Sequence, residues 1–165
     1  MKRKKSFSLI EMLLVVVIIS IISAIVGLNY SSGLKRARDA QRTSDINTIA
    51  SALNSYRREN GEFPKETNPT GEWETSIDSA GFMEYLKPPR NYLSSIPVDP
   101  KNNSNYYYAY RYYENGSDSC LDDSHKKPFI VFAIKTMEIV KNKKSVSCTG
   151  YDWGNEFDYS VEIFE

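Results

Sequence analysis

The chain has 165 residues, room for one globular domain and an appendage. Its 21 basic and 21 acidic residues cancel, and Lys2, Arg3, Lys4 and Lys5 hold four of the positive charges, so the remainder is acidic. This balance excludes a globally basic surface for nucleic acid.

The first element is FSLIEMLLVVVIISIISAIVGL, Phe7 to Leu28, whose only charge is Glu11. As a helix it extends about 33 Å, enough to cross a hydrocarbon core of roughly 30 Å. An ordinary secretory peptide has an apolar region of about 7–15 residues and an A-x-A-like end, which SAIVGLNYSS matches poorly. The basic segment abutting the run predicts a cytoplasmic N-terminus. Lys35, Arg36, Arg38 and Arg42 lie on the far side, but they begin well beyond the run. The remainder is Tyr-rich with a Cys pair, as exported domains often are, so residues beyond about 29 are expected outside the cytoplasmic membrane. An ionised side chain at a bilayer centre costs at least about 2.5–3.5 kcal/mol, less near the headgroups. Glu11 is therefore either a tolerated interfacial charge or one that awaits a partner.

The helical pattern continues. Ala37, Ala40, Ile46, Ile49, Ala50, Leu53 and Tyr56 recur at three- and four-residue steps and predict an apolar stripe on a charged helix. No proline occurs between Phe7 and Glu62, and Asn60-Gly61 followed by Pro64 is a stop signal. One helix from about Phe7 to Arg58, roughly 75–80 Å long, is expected. Gly27 and Gly33 are its weak points, each costing about 1 kcal/mol relative to Ala.

Beyond the stop come turns, then a short helical candidate around Phe82, Tyr85 and Leu86. KPPRN and IPVDPKNNSN are loops by composition, and NYLSSI between them is undecided. NYYYAYRYY alternates Tyr106, Tyr108, Tyr110 and Tyr112 on one face. FIVFAIK, Phe129 to Lys135, is apolar and β-branched, and YSVEIF, Tyr159 to Phe164, alternates again. The expected fold is α+β: a long N-terminal helix, half membrane-spanning and half amphipathic, with a small antiparallel sheet laying one face on Ile46, Ile49, Leu53 and Tyr56. The divisions are a basic leader (1–6), a transmembrane or filament-core helix (7–28), an amphipathic stem (29–60) and a globular head (61–165).

The basic KRKKS, then an aromatic-x-x-x-Glu opening of a long apolar helix, resembles the type IV pilins and the pseudopilins of type II secretion. RARDAQRTSDINTIASALNSYRRENGEFP is similar to the family's stem and its exit, and YLSSIPVDP with the Tyr-rich strand and FIVFAIKTME to its small sheet. The resemblance implies cleavage by a prepilin peptidase between Ser6 and Phe7, N-methylation of Phe7, and a filament in which Glu11 neutralises a neighbour's new ammonium group. Such pairing sets register, because a slip leaves a buried charge unpaired. Ser6 stands where the family usually has Gly, and Leu28 where it often has Pro. The implied partners are membrane lipid, then other copies of the chain, with an assembly ATPase and a platform protein. The implied location is a single-pass precursor in the inner membrane, then a surface filament. The leading reading is a type IV pilus subunit. The alternative is a type II secretion pseudopilin. An uncleaved membrane-anchored binding module is the alternative of another class.

The remaining candidates are weaker. Cys120 and Cys148 would close a loop of about 28 residues in an oxidising compartment, worth roughly 3–4 kcal/mol, or stay as free thiols. Some secretion pseudopilins bind calcium, which makes Asp118, Asp122 and Asp123, with Glu114 nearby, calcium candidates. The alternative is a solvated acidic loop, and the spacing fits no EF-hand. The tyrosines read as sheet residues before a ligand surface. His125, the only histidine, belongs to no nucleophile constellation and reads as a surface residue. No cofactor and no enzymatic activity are expected.

Overall fold

The computed structural model describes residues 7–67, 72–77, 81–87, 92–114, 127–139, 147–148 and 150–164, with 25–29 described as backbone only. Helix α1 runs from Leu9 to Asn60, 52 residues without a break, or about 78 Å. The backbone stays helical through Gly27 and Gly33. Ser8, in extended backbone, is the N-cap. Gly61 ends the helix at φ 85°, its N–H donating to the Arg57 carbonyl at 2.7 Å. That left-handed conformation costs an L-residue about 1–2 kcal/mol, so the Asn60-Gly61 stop acts where the sequence places it.

Among the described residues the strands are β1 (Glu74–Thr75), β2 (Tyr108–Tyr113), β3 (Phe129–Ile134), β4 (Ser147–Cys148), β5 (Tyr151–Asp152) and β6 (Tyr159–Phe164). Four form an antiparallel sheet in the order β1-β2-β3-β6, and β4 pairs with β5 separately. The fold is therefore α+β, a long helix with a small antiparallel sheet. Strand β3 is central: Phe132 sits opposite Tyr110 on one side and Val161 on the other.

Every residue of β3 is buried, which corrects the expectation of a sheet with one covered face. Ile130, Phe132 and Ile134, with Tyr108 and Tyr110, pack on Ile46, Ile49, Ala52 and Leu53 of α1. The alternate residues Phe129, Val131 and Ala133, with Ala109, pack under Trp153 and Phe157. The 3-10 turn Trp153–Asn155 supplies Trp153, Phe157 follows it, and Trp73 closes on Phe157 with ring centroids 4.7 Å apart. Two covered faces explain why FIVFAI reads as a continuous apolar run.

The stem differs from the expected stripe. Ala37 and Ala40 are exposed and Ala50 is half-buried. The stripe opens instead on Asp39, Arg42 and Asp45, all buried, and then takes in Ile46, Ile49, Ala52 and Leu53. Hydropathy misplaced its upper part because burial there follows ion pairing. The helical candidate near Tyr85 is one 3-10 turn, Glu84–Leu86, entered through Met83 at φ 52°. NYLSSI contributes no strand among its described residues; Leu93 donates its N–H to the Leu86 carbonyl at 3.0 Å, and Leu93 and Ile96 pack on the core.

Candidate functional site

Among the described residues nothing covers the N-terminal half of α1. Phe7 is 77% exposed, Leu9 78% and Ile10 71%, and large apolar side chains from Met12 to Ile22 remain roughly half exposed. Such a surface in one chain marks a site for lipid or other protein. Among the described residues no helix is long and apolar enough to cross a membrane. The apolar run of the sequence continues into 25–29, whose side chains lie outside the described set.

Glu11 has a local partner. Its Oε2 accepts the Ser8 N–H at 2.9 Å, so the carboxylate caps the first turn of α1. Ser8-Leu9-Ile10-Glu11 has the capping-box spacing, and a negative charge suits the positive end of the helix dipole. The bond uses one oxygen and leaves the residue in the exposed part of the helix.

The second construction holds the stem to the head. The Arg42 side chain, 0% exposed, donates from Nε and Nη2 to Asp99 at 2.6 and 3.0 Å and from Nη1 to Asp39 at 2.8 Å and Glu138 at 3.2 Å. Arg38 forks onto the same Glu138 at 2.6 and 2.7 Å, and Lys101 Nζ reaches it at 3.0 Å. Asp39 also accepts the backbone N–H groups of Glu138 and Ile139. Three cations thus meet three carboxylates. The Arg38 hydrogen bonds, opposed by burial and aided by Lys101 and Arg42, hold the Glu138 carboxyl well below the usual range. Burial opposes the charge on Arg42, but hydrogen bonds with Asp99, Asp39 and Glu138 outweigh it and raise its pKa. One turn on, Tyr108 Oη donates to Asp45 at 2.7 Å.

These groups make a locked joint with no free nucleophile. Sequence reasoning missed Asp39, Asp99 and Glu138 and read Arg42 as a flanking charge. The available signal was Arg38, Asp39, Arg42 and Asp45 falling on one helix face.

Ser6, Asp118, Cys120, Asp122, Asp123 and His125 lie outside the described residues. Cys148 is disulfide-bonded. Glu114 is exposed and pairs with Lys65 at 2.6 Å. Among the described residues no group of three His, Cys, Asp or Glu side chains is placed to hold a metal ion.

A family model described as the prokaryotic N-terminal methylation motif matches residues 1–27. The chain is similar to the type II secretion system core protein G of Pseudomonas aeruginosa, 30% identical over 114 residues, covering 66% of this chain and 75% of that protein. The Vibrio cholerae protein of the same name is 26% identical over 127 residues, covering 74% and 79%. That of Pectobacterium carotovorum is 27% identical over 104 residues, covering 59% of this chain and 62%, less than two thirds, of the relative. No solved structure matches.

Proposed function

Because this chain belongs to the type IV pilin and pseudopilin family, we propose that it works as the pseudopilin of a type II secretion system. It is a structural subunit and not an enzyme. The relatives' names favour secretion over the pilus that the sequence alone put first. The observation that carries the reading is the bare apolar half of α1, preceded by a basic leader and opened by Glu11.

In this reading the precursor sits in the cytoplasmic membrane with residues 1–6 inside. A prepilin peptidase cuts between Ser6 and Phe7, and Phe7 is methylated. Removing the leader places an ammonium group at Phe7. An ATPase and a platform protein feed the chain into a filament whose core is built from residues 7–28. There Glu11 exchanges or supplements its Ser8 bond with the ammonium group of the next copy. A mismatched stagger leaves a charge unpaired in an apolar core, which costs several kcal/mol. Binding energy thus goes into register.

The test combines processing and phenotype. Protein purified from its own cells should begin at methylated Phe7, and deleting the gene should abolish secretion of exported enzymes while surface pili persist. Loss of pili with normal secretion would return the pilus reading. An intact Met1 in assembled material would overturn both in favour of an anchored module. Replacing Glu11 with Ala should leave membrane insertion intact and block assembly; normal filaments from that variant would remove the register role.

A further inference from the structure

Four basic residues follow the apolar run, and the structure divides them. Arg38 and Arg42 are bound by Glu138, Asp99 and Asp39. Lys35 and Arg36 are exposed, and no ion pair reaches them among the described residues. No carboxylate occurs from Met12 to Arg38, and the next one, Asp39, is buried against Arg42 and the Glu138 and Ile139 N–H groups. Tyr30, 66% exposed, and Leu34, 41% exposed, stand one turn apart just before them.

We propose that Tyr30, Lys35 and Arg36 form a collar that holds the headgroups of anionic phospholipids in the outer leaflet of the cytoplasmic membrane before assembly. The inference rests on the reading above, in which residues 7–28 span the bilayer with the N-terminus inside. On a straight helix Tyr30 lies about 3 Å past Leu28, and Lys35 and Arg36 about 10–12 Å past it. Helical side chains lean toward the N-terminus, which here is back toward the membrane. Snorkelling by about 6 Å brings both cations to about 5 Å beyond the hydrocarbon edge, within a headgroup layer roughly 5–7 Å deep. Tyr30 falls at the depth where aromatic belts sit. Because the collar is continuous with the spanning run, lipid is favoured over an acidic protein partner. The collar also accounts for outer charges that run against the positive-inside pattern: only two of the four are free, and they grip lipid.

The full-length chain, reconstituted in phosphatidylcholine vesicles, tests this with spin-labelled lipids. The readout is the association of spin-labelled phosphatidylglycerol relative to phosphatidylcholine, for the wild type and for Lys35→Gln/Arg36→Gln. The leader is identical in both, so the difference reports the collar. An anionic surface attracts each basic residue about five-fold, so the double variant should lose preference by up to roughly 25-fold. Lys35→Arg/Arg36→Lys should keep it. Unchanged preference in the double variant, with both proteins resisting carbonate extraction, overturns the collar alone. Release of the wild type by carbonate overturns the spanning reading and the collar with it. Both positions are exposed on α1, and circular dichroism should register no change in the variant.

Discussion

Replacing Arg42 with Met removes the common cation of Asp39, Asp99 and Glu138, whose side chains are all at most 3% exposed. Met and Arg have similar helix propensities, and Met fills much of the same space, so α1 itself loses little. The cost comes from the carboxylates. Removing one partner of a buried pair costs about 3–5 kcal/mol because the remaining charge is left without compensation. Here Asp99 loses two bonds from Arg42, while Glu138 keeps Arg38 and Lys101 and Asp39 keeps two backbone donors. The expected loss is therefore about 3 kcal/mol, the lower end of that range. Urea unfolding of the full chain in detergent micelles, followed by the fluorescence of Trp73 and Trp153 in the second layer, measures it. With a slope near 1–3 kcal/mol per molar the midpoint should fall by about 1–3 M. Arg42→Lys keeps the charge but loses the fork and should fall between the two. A midpoint shift under about 0.5 M for Arg42→Met would refute the idea that this cluster fastens head to stem.

Four further outcomes follow from the same contacts. Glu138 has a depressed pKa, so its contribution is complete above the ordinary carboxylate value of about 4.3 and is lost as pH falls below it. The urea midpoint of the wild type should drop steeply below pH 4, and that of Glu138→Gln, already lower at pH 7, should drop less. Glu74 is the opposite case: burial raises its pKa against the Met83 and Thr67 N–H groups, so its favourable contribution belongs to low pH and fades as pH rises through the raised value. Glu74→Gln should keep the 2.6 Å acceptor for Met83 N–H, change stability at pH 7 by no more than about 1 kcal/mol, and flatten that part of the profile. Tyr108→Phe removes a buried hydrogen bond to Asp45 and should cost about 1.5–3 kcal/mol in the same assay. Gly61→Ala meets no neighbouring atom but must hold φ +85°, so about 1–2 kcal/mol should be lost with no change in the head's near-ultraviolet dichroism.

What the residues disclosed tracks how far each interaction reaches along the chain. Strands β2, β3 and β6 each have six residues, long enough for alternation or an apolar run to appear. Strands β1, β4 and β5 have two residues each, which is too few for any period. Gly61 was legible because its backbone requirement is local. The Arg42 cluster was not, because Asp99 and Glu138 lie 57 and 96 residues away. From the sequence alone, Asp39 and Arg42 are ordinary helix charges that water would solvate. Glu11 stood out as a charge in an apolar run, although Ser8, three residues earlier, already carried the pattern of its local bond.

The two halves of α1 are joined at the clasp. Burial by the head begins at Arg38 and Asp39, and the described side chains before them on α1 face solvent. At the far end Arg57 Nη1 donates to the Phe164 carbonyl at 2.5 Å, so the sheet is tied to the stem at both margins. Between these ties Ile46, Ile49 and Leu53 are buried against the sheet. A head held this way cannot slide or turn about the helix without breaking a buried ion pair or opening a packed core. In a filament whose stagger is set at Glu11, a rigid joint carries that register out to the heads about 45 Å further along the helix. A loosened joint would let apolar helices bundle while the heads met at random angles. On the proposed function the clasp then serves ordered assembly, although it lies about 45 Å along the helix from Glu11. An Arg42 variant that still inserts and is still cleaved at Ser6–Phe7 should form filaments that are short or irregular, seen by electron microscopy. Regular filaments from a variant shown to have lost the clasp would mean that head orientation is set between subunits, and not within the chain.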